Sequence, residues 1–253
     1  MTKLKGPVLA LALAAAAAGQ AMARPGAGAG VAPPAGGFAA PVLRVQSAPT
    51  ESERAAYKGL HAAATRGDLA AIGRLVKAGA KLNARDGQGR TPLMVAAYAR
   101  KHAAARALIK AGADVNAFEA ARYDVVTIAA VANDLVMLKI ALASGGNARA
   151  VTSPYEGTAL IAAAHLGHVE VVRTLIAAKA PLDHVNNLGW TALIEAIVLG
   201  DGGTRHTAIV KDLIAAGANV NLADRNATTP LGLARARGYR AMAKLLEAAD
   251  AKP

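Results

Sequence analysis

Apolar and polar positions recur along the chain from residue 51 onward with a period of about 33 residues. Each period holds an apolar segment that begins in most copies at threonine or aspartate and ends near a glycine, then a second apolar segment. Threonine or aspartate at the start and glycine at the end are usual boundaries of short helices. The pattern therefore predicts two helices in each period, followed by a polar turn.

Six copies of the first segment align without gaps. Their starts lie 33, 33, 34, 33 and 38 residues apart, at Lys58, Thr91, Asp124, Thr158, Thr191 and Thr229. The third position is always aliphatic: Leu60, Leu93, Val126, Leu160, Leu193 and Leu231. The sixth position is always alanine: Ala63, Ala96, Ala129, Ala163, Ala196 and Ala234. Such recurrence predicts that these side chains share one continuous core.

The second segment is recognised by its ending. Clear copies are LVKAGAKLNA (75–84), LIKAGADVNA (108–117), LIAAKAPLDH (175–184) and LIAAGANVNL (213–222), and ALASGGNARA (141–150) is a weaker one. A glycine closes the predicted second helix in most copies, and Lys179 replaces it in the fourth. Polar turns such as NARDGQGR (83–90) follow.

This period, with starts such as TPLMVAA and ends such as GADVNA, resembles the ankyrin repeat. The resemblance extends over residues 51–253. It implies an all-α solenoid of about six helix-turn-helix repeats with hairpin-like inter-repeat loops along one edge. Neighbouring repeats in such a stack share one core, because none buries its apolar face alone. The polar stretches 51–59 and 245–253 are expected to cap the two ends.

The first 23 residues predict export. Lys3 and Lys5 precede an apolar run of eleven residues, VLALALAAAAA (8–18), and AMA (21–23) is a small-residue cleavage motif. These are the parts of a secretory signal peptide, with cleavage expected after Ala23. An uncleaved anchor is the alternative, although the run is short for a membrane span. Residues 24–50 are rich in Gly, Ala and Pro and predict a flexible linker.

Composition narrows the classes of function. The chain has 253 residues and no cysteine, which excludes disulfides, thiolate catalysis and cysteine-ligated zinc. Aromatic residues make up only 3%, which disfavours a β-sandwich or barrel. The formal charge of +12 favours nucleic acid, anionic lipid or an acidic partner. Because export is predicted and the basic residues are not clustered, we expect no nucleic-acid partner and keep an anionic envelope surface as an alternative.

His165 and His168 form the most conspicuous candidate for a metal or proton-transfer site. Gly167 lies between them where the first helix should end, so we expect the two histidines on different helices. The chain contains no G-x-S-x-G, P-loop or H-E-x-x-H motif. The sequence therefore predicts no enzyme activity, no catalytic or metal-binding residue and no cofactor.

Aromatic residues at turn positions are a better lead to a binding surface. Four of them fall in predicted inter-repeat turns, where polar residues are usual, and a fifth ends a first helix. Large aromatics beside arginines are typical anchors of protein interfaces. Packing of one turn against the next is the alternative. The predicted partner-binding residues are Tyr98, Arg90, Phe118, Arg122, Tyr123, Tyr155 and Trp190.

The fifth repeat carries five extra residues within LGDGGTRHTAIVKD (199–212), between its two helices. The resemblance places this segment on the edge opposite the hairpins. It is either a contact element or a tolerated surface insertion, since loops accept extra residues readily.

The resemblance implies non-catalytic protein binding across the concave surface of the first helices and the hairpin tips. The signal peptide and regular repeats are similar to small periplasmic ankyrin-repeat proteins of Gram-negative bacteria, some of which are linked to protection against oxidative stress. We therefore expect a monomeric periplasmic protein with an unidentified protein partner and no transmembrane segment after cleavage. The alternatives are a basic envelope-associated protein that binds anionic lipid or cell-wall components, and a secreted effector.

Overall fold

The computed structural model describes residues 48–252, so the predicted signal peptide (1–23) and all but the last three residues of the predicted linker (24–50) lie outside the described residues. Within that range, the chain forms a short first helix, α1 (Glu51–Ala56), and six helix pairs. The first helices of the pairs are α2 (Gly59–Arg66), α4 (Pro92–Tyr98), α6 (Val125–Val131), α8 (Ala159–His165), α10 (Ala192–Val198) and α12 (Pro230–Ala236). The second helices are α3 (Leu69–Lys77), α5 (His102–Lys110), α7 (Leu135–Ala143), α9 (Val169–Ala177), α11 (Thr204–Ala215) and α13 (Arg240–Glu247). No helix among these described residues is both long and apolar enough to cross a bilayer.

Threonine and aspartate side chains cap most first helices, as the sequence predicts. Thr191 Oγ1 accepts a hydrogen bond from the Ile194 amide at 3.2 Å, and Asp124 Oδ1 accepts one from the Thr127 amide at 2.8 Å. Each bond satisfies a backbone amide that the first helical turn leaves without a partner. Thr50 does the same for α1, so the residue just before position 51 belongs to the cap of that helix.

The core runs through the whole stack, because each internal repeat packs between two neighbours. First helices contact first helices, and second helices contact second helices. The alanine at the sixth position of each copy is at most 1% exposed, since only a small side chain lets two helices approach so closely. The aliphatic third position is buried in all six repeats as well. The predicted shared core is confirmed.

Inter-repeat turns stack beside the first helices. Strands β1 (Val151–Thr152) and β2 (Gly157–Thr158) form a short antiparallel hairpin in the turn between the third and fourth repeats. Backbone bonds join successive turns: the Ala120 amide donates to Gln88 O at 2.9 Å, and the Asn187 amide donates to Tyr155 O at 3.0 Å. The turns therefore form one continuous edge, and we call the surface between this edge and the first helices the inner groove.

The two histidines of the fourth repeat lie at the ends of different helices, as predicted: His165 closes one helix and His168 is the N-cap of the next. Helix α8 ends at His165, Gly167 has a φ of 71°, and α9 begins after His168. His168 Nδ1 lies 2.9 Å from Ala130 O in the preceding repeat, whereas His165 Nδ1 lies 3.4 Å from Glu195 Oε2 in the following one. The two imidazoles therefore have different partners.

The insertion in the fifth repeat is folded and packed. Helix α11 has 12 residues where α9 has nine, so the extra residues form a tight turn and lengthen the second helix. His206 from this segment is 6% exposed. Its Nδ1 lies 2.8 Å from Asp201 Oδ1, and its Nε2 lies 3.0 Å from His165 O. The segment thus attaches the fifth repeat to the fourth, while its contact with a partner stays a prediction.

Candidate partner-binding groove

Three of the seven predicted partner-binding residues line one pocket in the inner groove. Tyr123, Tyr155 and Trp190 come from three successive inter-repeat turns, and they meet because neighbouring turns stack. Tyr155 and Trp190 are half-buried and keep part of their surface in solvent. Tyr123 is only 1% exposed and forms part of the pocket wall. For Tyr123, packing within the protein is therefore the larger role.

The opposite wall comes from two first helices. Ile161 and His165 project from α8, and Glu195 projects from α10. Leu188, from the turn after the fourth repeat, adds apolar surface. The pocket thus combines aromatic and aliphatic walls with one carboxylate, a composition typical of sites that hold a side chain or small ligand.

Glu195 is the functional candidate that sequence reasoning missed. It is 4% exposed, and its Oε1 accepts a hydrogen bond from Asn186 Nδ2 at 2.9 Å. Its Oε2 accepts no hydrogen bond within the described part of the chain. A buried carboxylate oxygen without a hydrogen bond is costly and marks a site of interest.

The repeat alignment contains the signal that would have found Glu195. Its slot is the fifth position of the first segment, where every other repeat has an apolar residue. Those residues are Ala62, Val95, Ile128, Ala162 and Leu233. A single charge in an otherwise apolar slot indicates a local requirement that the fold itself does not impose.

The structure places Arg90 inside the protein, which corrects the prediction that this residue contacts a partner. The side chain is 1% exposed, its Nε donates to Asp86 Oδ2 at 2.7 Å, and a terminal nitrogen donates to Glu53 Oε1 at 2.6 Å. Burial opposes ionisation of Asp86, but hydrogen bonds from Tyr57 and Arg90 outweigh it and lower the pKa of Asp86. Arg90 therefore ties α1 to the first inter-repeat turn and does not present its charge to a partner.

The remaining predicted contacts lie outside this pocket. Phe118 is 36% exposed, and the Arg122 guanidinium carbon lies 5.5 Å from the centre of its ring, within the range of a cation–π contact. Tyr98 ends α4 half-buried, next to Ala48 and Pro49 at the start of the described chain. The structure therefore does not bring these three residues into the pocket around Trp190.

Metal-ligating side chains do not gather in this region. Across residues 48–252, no three histidine or carboxylate side chains lie close enough together to hold a metal ion.

A family model described as ankyrin repeats matches residues 44–119 and 126–224. The ankyrin repeat protein YahD of Escherichia coli strain K12 is 37% identical over 190 residues, which cover 75% of this chain and 94% of YahD. These matches span most of the repeat region found by its 33-residue period.

Solved structures agree with this match. An ankyrin repeat domain from Acinetobacter baumannii AYE is 49% identical with a TM-score of 0.74, covering 76% of this chain and 98% of that domain. A chain from the complex of a Bdellovibrio bacteriovorus predatory endopeptidase with an immunity protein is 25% identical with a TM-score of 0.65, covering 76% of this chain and 98% of that chain. The chain therefore belongs to the ankyrin-repeat family.

Proposed function

We propose that this ankyrin-repeat chain is an exported, non-catalytic module that binds a protein partner through the inner groove and the tips of the inter-repeat turns. Ankyrin repeats indicate a protein–protein interaction module. The observation that carries the proposal is the pocket in which Tyr155 and Trp190 stay partly exposed beside the buried Glu195. Partly exposed aromatics around a desolvated polar group are the usual centre of a protein interface.

One of the similar structures supports a protein partner. It is a complex between a predatory endopeptidase and an immunity protein. Because the signal peptide predicts export, we expect the partner of this chain among exported or envelope proteins. A role in protection against oxidative stress would then act through that partner.

The binding proposal is tested by capture from an envelope extract with the mature protein. We expect Tyr98→Ala/Tyr155→Ala/Trp190→Ala to lose the partner, because the variant removes the aromatic surface of the groove. Val136→Ala is the matched control, since Val136 is apolar, 49% exposed and lies on the second helix α7, away from the groove. An unchanged set of captured proteins with the triple variant would contradict the proposed surface.

Export is tested by fractionating cells and determining the N-terminus of the protein by mass spectrometry. We expect a periplasmic protein that begins at Arg24, the residue after the proposed cleavage site. Full-length protein in the cytoplasm would contradict export. Protein in the culture medium would favour a secreted effector instead.

The second helices favour one further candidate function, binding to an anionic envelope surface. Their outer face carries a series of exposed basic side chains, and only three carboxylates accompany them on the same helices: Glu170, Asp212 and Glu247. The exposed basic residues on these second helices are Arg74, Lys77, Arg106, Lys110, Lys139, Arg173, Arg205, Lys211, Arg240 and Lys244. Such a surface attracts phosphate-bearing lipid headgroups at low salt.

The salt dependence of binding distinguishes the two candidate functions. Binding to anionic vesicles should disappear between about 50 and about 300 mM salt, because exposed charges are screened over this range. Vesicle binding should also weaken in Arg106→Ala/Lys110→Ala/Lys139→Ala and persist in Tyr98→Ala/Tyr155→Ala/Trp190→Ala. Capture of a protein partner should persist in the variant of the basic residues and be lost in the variant of the aromatic residues. Vesicle binding that resists salt would contradict an electrostatic origin.

A further inference from the structure

We infer that the pocket beside Trp190 receives a basic side chain, lysine or arginine, from the protein partner. This inference rests on the proposed binding function and specifies the chemistry of the residue that enters the groove. The geometry that carries it is the buried carboxylate of Glu195 at the side of an apolar, aromatic pocket.

Glu195 lacks a strong partner inside the protein. Asn186 satisfies Oε1 at 2.9 Å, while Oε2 accepts no hydrogen bond among the described residues and has His165 Nδ1 at 3.4 Å. His165 balances the carboxylate only when its imidazole is protonated. A donor that carries a permanent positive charge would supply both the missing hydrogen bond and the missing charge.

The walls suit the rest of a basic side chain. Leu188 and Ile161 offer apolar surface to the methylene stem of lysine or arginine, which packs on such surface while its charged end seeks a polar partner. Trp190 and Tyr155 offer ring surface that attracts a cation.

Other side chains fit this pocket less well. A neutral apolar side chain would leave the Oε2 atom of Glu195, which is already buried, without a hydrogen bond. An acidic side chain would place a second negative charge beside Glu195. The pocket therefore selects for positive charge, although the chain as a whole carries +12.

The chain offers a direct reporter, because Trp190 is its only tryptophan. We would titrate the mature protein with N-acetyl-lysine methylamide and N-acetyl-arginine methylamide, and follow the indole N–H resonance of Trp190 by NMR. N-acetyl-norleucine methylamide is the neutral control of nearly the same shape. Saturable shifts with either basic probe, at concentrations at least tenfold below any response to norleucine, are the expected result.

Equal responses to lysine, arginine and norleucine probes would overturn the inference. A response to free n-butylamine with none to the two basic amino-acid probes would also overturn it, since it would indicate a site for small amines rather than for a partner's side chain.

Glu195→Gln tests the carboxylate itself. Glutamine keeps the oxygen that accepts from Asn186 and removes the charge, so we expect the basic probes to bind at least tenfold more weakly. Glu247→Gln is the control, because Glu247 is exposed on α13 and pairs with Arg235 at 2.9 Å. Wild-type affinity in Glu195→Gln would overturn the inference. If this variant does not fold, the comparison of basic and norleucine probes on the wild-type protein decides alone.

The same variant separates this inference from the proposed function. If Glu195→Gln still captures the partner and Tyr98→Ala/Tyr155→Ala/Trp190→Ala does not, the inferred basic side chain is contradicted. The proposed binding function is then still supported. Unchanged capture by both variants would contradict the proposed binding surface, whatever the probes show.

Discussion

Glu119 shows how one extra methylene group changes a position that the repeats share. The equivalent residue Asp86 accepts hydrogen bonds at Oδ1 from the amides two and four residues later, at 2.9 and 2.8 Å, and this closes the turn. Glu119 is 6% exposed, and its Oε1 has no hydrogen-bond partner within residues 48–252. Burial, reinforced by the nearby Asp86 and opposed by Arg90, raises the pKa of Glu119 to about 7. Other residues at this position are Ser153, Asn186 and Asp224.

Glu119→Gln should therefore remove a pH dependence of stability. The folded pKa of about 7 lies above the ordinary value of 4.5, so the folded state binds the proton more tightly and the free energy of unfolding falls as pH rises from about 4.5 to about 7. Above pH 7 we expect the variant to be more stable than the wild type by up to about 3 kcal/mol. Urea unfolding at pH 5 and pH 8 measures this. Glu247→Gln, at an exposed position, should leave the pH dependence of the free energy of unfolding as in the wild type. A wild-type pH dependence in Glu119→Gln would exclude Glu119 as the source of that dependence.

Lys179 holds the left-handed backbone conformation that glycine holds in other repeats. Its φ is 60°, against 76° to 101° for Gly79, Gly112, Gly145 and Gly217. Lys179→Gly should raise the free energy of unfolding by about 0.5–1 kcal/mol, because glycine adopts this conformation without steric cost. The hydrogen bond from Arg149 to the Lys179 carbonyl, at 3.0 Å, involves only the backbone of residue 179 and should remain.

The matched control for this change is Lys139→Gly, since Lys139 is an exposed lysine within helix α7. There we expect a loss of about 0.5–1 kcal/mol, because glycine weakens a helix interior. Thermal and chemical unfolding of both variants measure the difference. Destabilisation by Lys179→Gly would show that the left-handed conformation carries no strain at this residue.

At the scale of elements, the turn between the two helices of a repeat is a point of attachment to the repeat before it. His168 Nδ1 lies 2.9 Å from Ala130 O, His206 Nε2 lies 3.0 Å from His165 O, and the Tyr239 hydroxyl donates to Gly200 O at 2.9 Å. Each acceptor is a carbonyl at or just beyond the end of a first helix, where carbonyls no longer accept the regular helical hydrogen bond from four residues later. The histidines that suggested a metal site thus have a role in joining repeats.

His206→Ala should destabilise the protein by about 2–3 kcal/mol. The change removes a buried side chain together with its contacts to Asp201 and to the His165 carbonyl, and it leaves that carbonyl without a partner. Arg205→Ala is the control at the adjacent exposed position, with an expected effect below about 0.5 kcal/mol. Equal effects of the two substitutions, measured by urea unfolding, would show that the insertion does not stabilise the stack.

At the scale of the whole molecule, stability depends on how many neighbours a repeat has. In the first repeat, α3 buries only Ala71 and Ile72. In the fourth, α9 buries Val171, Val172 and Leu175 between repeats on both sides. Stacked repeats derive much of their stability from such interfaces, so we expect the first repeat to be less stable than the fourth.

Hydrogen exchange followed by mass spectrometry should reveal this gradient. We expect the amides of α2 and α3 to exchange at least tenfold faster than those of α8 and α9, because opening the end repeat breaks one interface while opening an internal repeat breaks two. Uniform exchange across the four helices would mean that the stack opens only as one cooperative unit.

Much of the architecture could be read from the repeat itself. The third and sixth positions of each copy identified the core, and Gly167 was sufficient to place His165 and His168 at the ends of separate helices. These features depend on local preferences and on a pattern repeated six times, so each copy supports the others.

Sequence alone determined the family, the repeat boundaries and the aromatic character of the turns. Tertiary structure decided which of those aromatics act together, that Arg90 is an internal ion-pair residue, and that Glu195 lies beside Trp190 with an unsatisfied oxygen. The reason is physical: the repeat pattern records what every copy needs to fold, whereas burial and pairing at the variable positions depend on neighbours from adjacent repeats, brought close only by stacking.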